Sequence, residues 1–299
     1  MSSFWQKIIP VVVLFFLGFI LKKIKIFKHD DGDLLLKIVF NVTLPALVFL
    51  AISQVKLSLN LLYLPLIAAL VILINYLVAS SVGKRLSLLP ATLGSFIIGS
   101  MIMNTGFVLP FILARYGKHA LAYYTIFDFG NMLMIFTFGY LIAMKYGENG
   151  KLKIDLRKFL KLPPIWALVL GVIYNLGNWD IPIAAENILQ MTGTPTVFLT
   201  MLALGCYFHP QVKNLRKIVL VFSIRILGGL ALGLAFSYLF GLEGILRDVV
   251  IICSSAPVGY NTLVLSSLEN LDKDFAASLV SISLIMGIIY VPLLMLILA

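Results

Sequence analysis

The sequence predicts an all-α polytopic membrane protein: ten transmembrane helices in a 5+5 inverted repeat, with helices 4 and 9 broken. Three observations predict it. Of 299 residues, 61% are hydrophobic and only 12% charged, and the mean hydropathy is +1.05. A soluble domain carries about 25% charged residues to cover its surface, so this chain has lipid as its main solvent. Apolar segments long enough to cross a bilayer recur ten times. Residues of the first half recur in the second at a spacing near 153.

The expected spans are 4–21, 34–54, 61–82, 92–115, 118–145, 162–178, 187–208, 217–240, 246–268 and 275–298. The first, "FWQKIIPVVVLFFLGFILKK", has no small-residue cleavage site before its basic cluster and reads as a membrane helix. The second places Asn41 and Thr43 just before Pro45; "NVT" fits a glycosylation sequon but lies inside a span, which excludes that use. Asn75 in the third reads as a helix–helix contact. The sixth is short, and the eighth holds Gly229 and Gly233 in a small-xxx-small packing pattern. The longest polar stretch, "KYGENGKLKIDLRKFLK" (145–161), divides the chain into a first repeat (1–147), a basic loop (148–161) and a second repeat (162–299).

Lysine and arginine set the orientation. Alternate loops on one side collect sixteen of them, including Lys22, Lys23, Lys84, Arg85, Lys151, Arg157, Arg216 and Lys273; the other side has five. The excess marks the cytoplasm, which puts both termini outside. The net charge of +10 is thereby a topology signal, and no nucleic-acid partner is implied. Two cysteines, Cys206 and Cys253, make no disulfide framework or metal site. No cofactor is implied.

An odd number of spans per half forces the halves to sit inverted. Pro10 pairs with Pro163 and "LGFIL" (17–21) with "LGVIY" (170–174), both offset by 153; "IIGS" (97–100) pairs with "IICS" (251–254). "TLPALVFL" (43–50) resembles "GTPTVFLT" (193–200). Corresponding spans four and nine are interrupted near their centres, by Asn104, Thr105, Gly106 and Pro110 and by Pro257, Gly259, Asn261 and Thr262. Paired interrupted helices in matching positions point to a transporter binding site. A broken helix exposes N–H groups that favour an anion, and Asn104 or Thr105 and Asn261 or Thr262 suit the caps of the second halves. Pro110 is expected in the first turn of its half-helix, where proline costs little.

Asp128 is the carboxylate deep in a span. It reads as a proton or cation (H+ or Na+) coupling site or as the partner of a helix terminus, with Asn131 on the same face. Lys37 and Arg225, within spans two and eight, are expected to snorkel to an interface. His29, His119 and His209 are scattered near span ends, and no HExxH, phosphate loop or nucleophile elbow occurs, so an enzyme is not expected. A channel would need a continuous polar stripe in place of two localised breaks; a non-transporting membrane receptor is the other alternative.

"NVTLPALVF" (41–49), "NTGFVLPFILARYG" (104–117) and "APVGYNTLVL" (256–265) resemble the auxin efflux carrier family: PIN-type carriers and bacterial malonate-type permeases, within the bile-acid, arsenite and riboflavin transporter-like superfamily. The resemblance implies an NhaA-like fold in which helices 4 and 9 cross at their breaks. It implies a scaffold of helices 1, 2, 6 and 7, a moving transport domain of helices 3–5 and 8–10, and a homodimer through the scaffold. Asn104 matches the crossover asparagine that contacts substrate in PIN-type carriers. Met103 stands where a proline is expected, and the "NTGFVLP" run is one residue short. The combined expectation is an alternating-access, elevator-type carrier of a small organic anion, such as an auxin-like or dicarboxylic acid. Asn104, Thr105, Pro110, Pro257, Gly259, Tyr260, Asn261 and Asn41 would line the substrate site, with Asp128 and Asn131 at the coupling site.

Overall fold

The computed structural model describes residues 2–55, 59–147, 162–207 and 215–298. The central basic loop expected at 148–161, with Lys151, Lys153, Arg157, Lys158 and Lys161, lies outside the described residues, as do Lys56, His209 and Lys213.

Among the described residues the chain is helical, without strands. In order, the α-helices are α1 (Ser2–Lys23), α2 (His29–Ile38), α3 (Leu44–Gln54), α4 (Tyr63–Arg85), α5 (Pro90–Met101), α6 (Thr105–Tyr116), α7 (Lys118–Met134) and α8 (Tyr140–Tyr146). The second half adds α9 (Pro163–Leu176), α10 (Ile183–Gly193), α11 (Thr196–Tyr207), α12 (Leu215–Phe222), α13 (Gly229–Leu239), α14 (Gly244–Ser254), α15 (Asn261–Leu268) and α16 (Lys273–Ile297). Widened π-helical turns, Val39–Thr43, Ile135–Gly139 and Ser223–Gly228, join α2 to α3, α7 to α8 and α12 to α13.

Among the described residues, seven continuous helices are long and apolar enough to cross a membrane: Phe4–Lys23, Asp31–Gln54, Tyr63–Arg85, Lys118–Tyr146, Ile183–Tyr207, Leu215–Leu239 and Lys273–Ile297. The protein is a polytopic integral membrane protein. Three of the ten expected spans are not continuous long helices. Spans four and nine are each two short helices, α5 with α6 and α14 with α15, because the chain turns extended between them. Span six appears as α9, 14 residues or about 21 Å, against a bilayer core of about 30 Å.

The chain divides into two compact units. One comprises Met1–Leu62, Gly106–Ile126 and Leu160–Phe208. Here α1 meets α11 at backbone distance, because Gly18 faces the Leu202 backbone and Gly205 faces the Phe15 carbonyl and Phe19 nitrogen. No side chain fits between them. In the same way Gly171 of α9 seats on Ile52 of α3, where an added Cβ would lie 2.9 Å from the Ile52 Cβ. The Asn175 amide then donates to the carbonyls of Ile52, Ser53 and Val55 at 3.0, 3.0 and 2.7 Å, satisfying the end of α3. Thr196 Oγ1 donates to Thr43 Oγ1 at 2.9 Å, and Tyr207 donates to Asp33 at 2.5 Å.

The other unit comprises Tyr63–Thr105, Phe127–Phe159 and His209–Ala299. Gly130 of α7 rests on the backbone of Pro65 in α4, and Gly99 of α5 sits beside Leu279 of α16. Asp272 caps α16, accepting from Phe275 N–H at 3.0 Å, while its other oxygen accepts from Thr92 Oγ1 at 2.8 Å. Ser95 and Ser266 share a buried hydrogen bond of 2.9 Å. These bonds fasten the start of α5 to α15 and α16. The two breaks themselves, with α5, α14 and α15, therefore lie within one unit, while α6 from Gly106 onward is assigned to the other.

Candidate functional site

The two breaks meet. Ile102, the residue after α5, is extended (φ −82, ψ 130), and Met103 pairs antiparallel with Val258. Asn104 N–H donates to the Pro257 carbonyl at 2.9 Å, and Gly259 N–H donates to the Ile102 carbonyl at 3.0 Å. Ile102, Met103, Ala256 and Val258 are fully buried. Unpaired backbone in such a place would cost several kcal/mol per group. Each break supplies the hydrogen bonds the other lacks, so neither is stable alone. Gly259 is required by closeness: a Cβ there would strike the Ile102 side chain and come within 3.1 Å of the Met103 carbonyl.

Asn104 is 7% exposed, and its amide donates to the Val258 carbonyl at 3.3 Å. Thr105 opens α6. Its hydroxyl donates to Asp128 Oδ1 at 2.6 Å, and Asn131 Nδ2 donates to both Asp128 Oδ1 at 3.0 Å and Thr105 Oγ1 at 3.2 Å. Asp128 therefore partners a helix terminus, with its carboxyl group at the N-terminal end of α6. Tyr260 and Asn261, at the start of α15, are partly exposed.

Three expectations are corrected. α15 begins behind Tyr260, itself in a helical conformation (φ −56, ψ −32), and no side chain caps it; Asn261 and Thr262 are its first helical residues. The Thr262 hydroxyl is buried without a hydrogen-bond partner. The chain enters α15 through a tight turn, Thr262 N–H to the Gly259 carbonyl at 2.9 Å, which leaves a side-chain cap no role. Pro110 is the sixth residue of α6, past the first turn and about 7 Å along the axis from Thr105, so it shapes the half-helix away from the break.

The third correction is Arg225. It does not snorkel: it is 0% exposed, and its guanidinium donates to the carbonyls of Met101 (2.9 Å) and Ser254, the last residues of α5 and α14. Arg225 is the residue that sequence reasoning missed. Two signals were present: it lies about 12 Å of helix into span eight, too deep for an easy escape, and Gly228 and Gly229 follow it. Gly229 makes the room, since a Cβ there would collide with the Ser254 carbonyl and Arg225 Nη2. Gly233 packs on the Ile251 Cα and the Ser254 Cβ, as its spacing predicts. Asn75 Oδ1 lies beside Gly228, a contact between α4 and the turn that carries Arg225.

Asn41, in the first π-helical turn, is exposed and donates to the Lys37 carbonyl of its own helix at 2.7 Å. The structure thus brings together Asn104, Thr105, Asp128 and Asn131, and joins Asn104 to Pro257 and, through Met103, to the turn ending at Gly259.

Comparison with known proteins places this arrangement. The model of a family described as membrane transport protein matches residues 3–295, almost the whole chain. The chain belongs to that family, the family of the auxin efflux carriers. It is 27% identical over 295 residues to an uncharacterized transporter of Methanothermobacter thermautotrophicus, covering 96% of each chain. It is 28% identical over 296 residues to an uncharacterized transporter of Methanocaldococcus jannaschii, again covering 96% of each. In a membrane transport protein, a buried meeting of two broken helices with a carboxylate at one N-terminus and a guanidinium at both C-termini is the natural candidate site.

Proposed function

We propose that this membrane transport protein is a secondary carrier of a small organic anion, an auxin-like or dicarboxylic acid, working by alternating access. The observation that carries the reading is the antiparallel pairing of the breaks at Met103 and Val258, which turns four half-helix ends toward one locus. Asp128 already answers the α6 terminus with its carboxyl group, so we assign the substrate carboxylate to the α15 end, beside Tyr260, Asn261 and the Asn104 amide. Asp128, with Asn131, is the group that would take up a proton.

The same reading makes the fold a ten-span inverted repeat with an NhaA-like crossover, and contacts spaced by 153 support it. Thr43 and Thr196, which touch, are 153 apart. So are Gly18 and Gly171, and Ile52 and Gly205, so the tight contact of Gly205 with α1 mirrors that of Gly171 with Ile52. Met101 and Ser254, the ends of the two first half-helices, are 153 apart as well. Both breaks belong to the compact unit that holds spans three, eight, nine and ten, while Gly106–Ile126 groups with spans one, two, six and seven; the elevator we propose moves helices 3–5 and 8–10 against a scaffold of helices 1, 2, 6 and 7. A homodimer through that scaffold, both termini outside, in a plasma membrane, completes the proposal.

The test is charge movement on a solid-supported membrane, with proteoliposomes pulsed with indole-3-acetate, malonate and other carboxylates. A carrier gives a current that saturates and reverses with the gradient. A channel gives current without saturation, and a receptor gives none. Asp128→Asn is expected to flatten the pH dependence of that current while leaving the protein folded, because the amide still accepts from Thr105 and Asn131. An unchanged pH profile would reduce Asp128 to a structural partner of α6.

A further inference from the structure

We propose that Arg225 is a built-in counter-charge of the crossover, its guanidinium occupying the place at the half-helix C-termini where a small coupling cation would otherwise sit. α5 and α14 are helices of 12 and 11 residues that both end at the break. The C-terminus of a helix carries about −0.5 of a charge, so the two together present about −1 to a water-poor centre. One guanidinium cancels it. Nη1 binds the Met101 carbonyl and Nη2 the Ser254 carbonyl, and Tyr290 closes the end of α14 by donating to the Ser255 carbonyl at 2.5 Å.

The device breaks the symmetry of the repeat. α5 and α14 end at matching places, Met101 and Ser254, but the residues that answer Arg225 in the first half, Val71 or Ile72 at offsets of 154 or 153, are buried and apolar. The charge is supplied once, from the second half, and serves both ends. The fold is shaped to deliver it: Arg225 lies in the π-helical turn Ser223–Gly228, and the missing side chain of Gly229 leaves its Nη2 a path to the Ser254 carbonyl.

A sodium ion needs oxygen ligands, and broken-helix transporters offer it the carbonyls of such half-helix ends. Here those two carbonyls are committed to a fixed cation, and its field repels a second one. Sodium therefore has no seat at these ends, which leaves a proton on Asp128 as the coupling route or a cycle with none. That a coupling ion would sit there rests on the transporter reading; the charge balance holds whatever the protein carries.

The test reads the charge and not transport. Full-length protein in detergent is melted by tryptophan fluorescence as wild type, Arg225→Ala, Arg225→Lys and Arg225→Gln, with and without low-millimolar methylguanidinium or sodium present from solubilisation onward. Arg225→Ala is expected to melt about 10 °C lower. Methylguanidinium is expected to restore about half of that loss, with sodium restoring less, and to leave wild type and Arg225→Lys unmoved. Equal responses of Arg225→Ala and wild type would overturn the proposal, since a side chain that only fills space is not rescued by a cation. Should Arg225→Ala fail to accumulate, Arg225→Lys against Arg225→Gln decides: lysine melting well above glutamine supports the counter-charge, and equal melting overturns it. Both outcomes are readable even if no organic acid is ever transported.

Discussion

Asn104→Ala is expected to weaken binding of the transported anion by about tenfold to a hundredfold while the chain still folds. The scale is that of one hydrogen bond to a charged partner, about 1.5–3 kcal/mol. Folding survives because the bond that seals the two breaks uses the Asn104 backbone N–H, which alanine keeps, to the Pro257 carbonyl. What alanine removes is the side-chain amide, which donates to the Val258 carbonyl at 3.3 Å. An amide donor beside the α15 terminus is placed to meet a carboxylate bound there. The measurement is the half-saturating acid concentration on a solid-supported membrane, wild type beside variant, with melting temperature as the control for fold. Unchanged half-saturation with an intact melt removes Asn104 from the binding site and moves the assignment to Tyr260 and Asn261.

Gly205→Val is expected to cost about 3 kcal/mol or more, lowering the melting temperature by roughly 10 °C, on the scale expected of Arg225→Ala. A Cβ at this position would sit against the Phe15 carbonyl and within 2.7 Å of Phe19 N, both backbone atoms of α1. Side chains can rotate away from an intruder, but a helix backbone cannot without parting the pair. Opening α1 from α11 would also expose the contact at Gly18 and the packing of Cys206 beneath it. A melt of the detergent-solubilised variant checks this. A loss under about 3 °C would mean that α1 shifts freely over α11 and that the close approach is not a fixed feature.

The two predictions differ in how far they were legible. Asn104 stood out in sequence because it stands with Thr105, Gly106 and Pro110 within seven positions of an apolar span, a cluster that interrupts a helix and is answered by Pro257, Gly259, Asn261 and Thr262 in the second half. Gly205 did not, because glycine in "LALGCY" looks like any small residue of a membrane helix, and what demands it is the α1 backbone 187 positions earlier at Gly18. Asp128 was legible as a costly intramembrane acid, but its partner Thr105 comes from the preceding span. Arg225 was visible yet misread. Snorkelling is judged from distance to a helix end, whereas burial here is decided by two carbonyls that are free only because two other helices stop at Met101 and Ser254.

The sequence by itself determined that the protein lives in a membrane, where most of its spans lie, that spans four and nine are interrupted, and the family it belongs to. Those properties follow from composition and from local chemistry: a span of about twenty residues in lipid carries few charges, and glycine, proline and asparagine weaken the interior of a helix. Only the tertiary structure decided that the breaks satisfy each other through Asn104, Pro257, Ile102 and Gly259, that α15 starts uncapped at Tyr260, and that one arginine from a third helix serves both half-helix ends. The physical reason is that an unsatisfied backbone group carries no mark of its partner. In lipid it must find one, and which residue answers depends on what the fold brings within 3 Å.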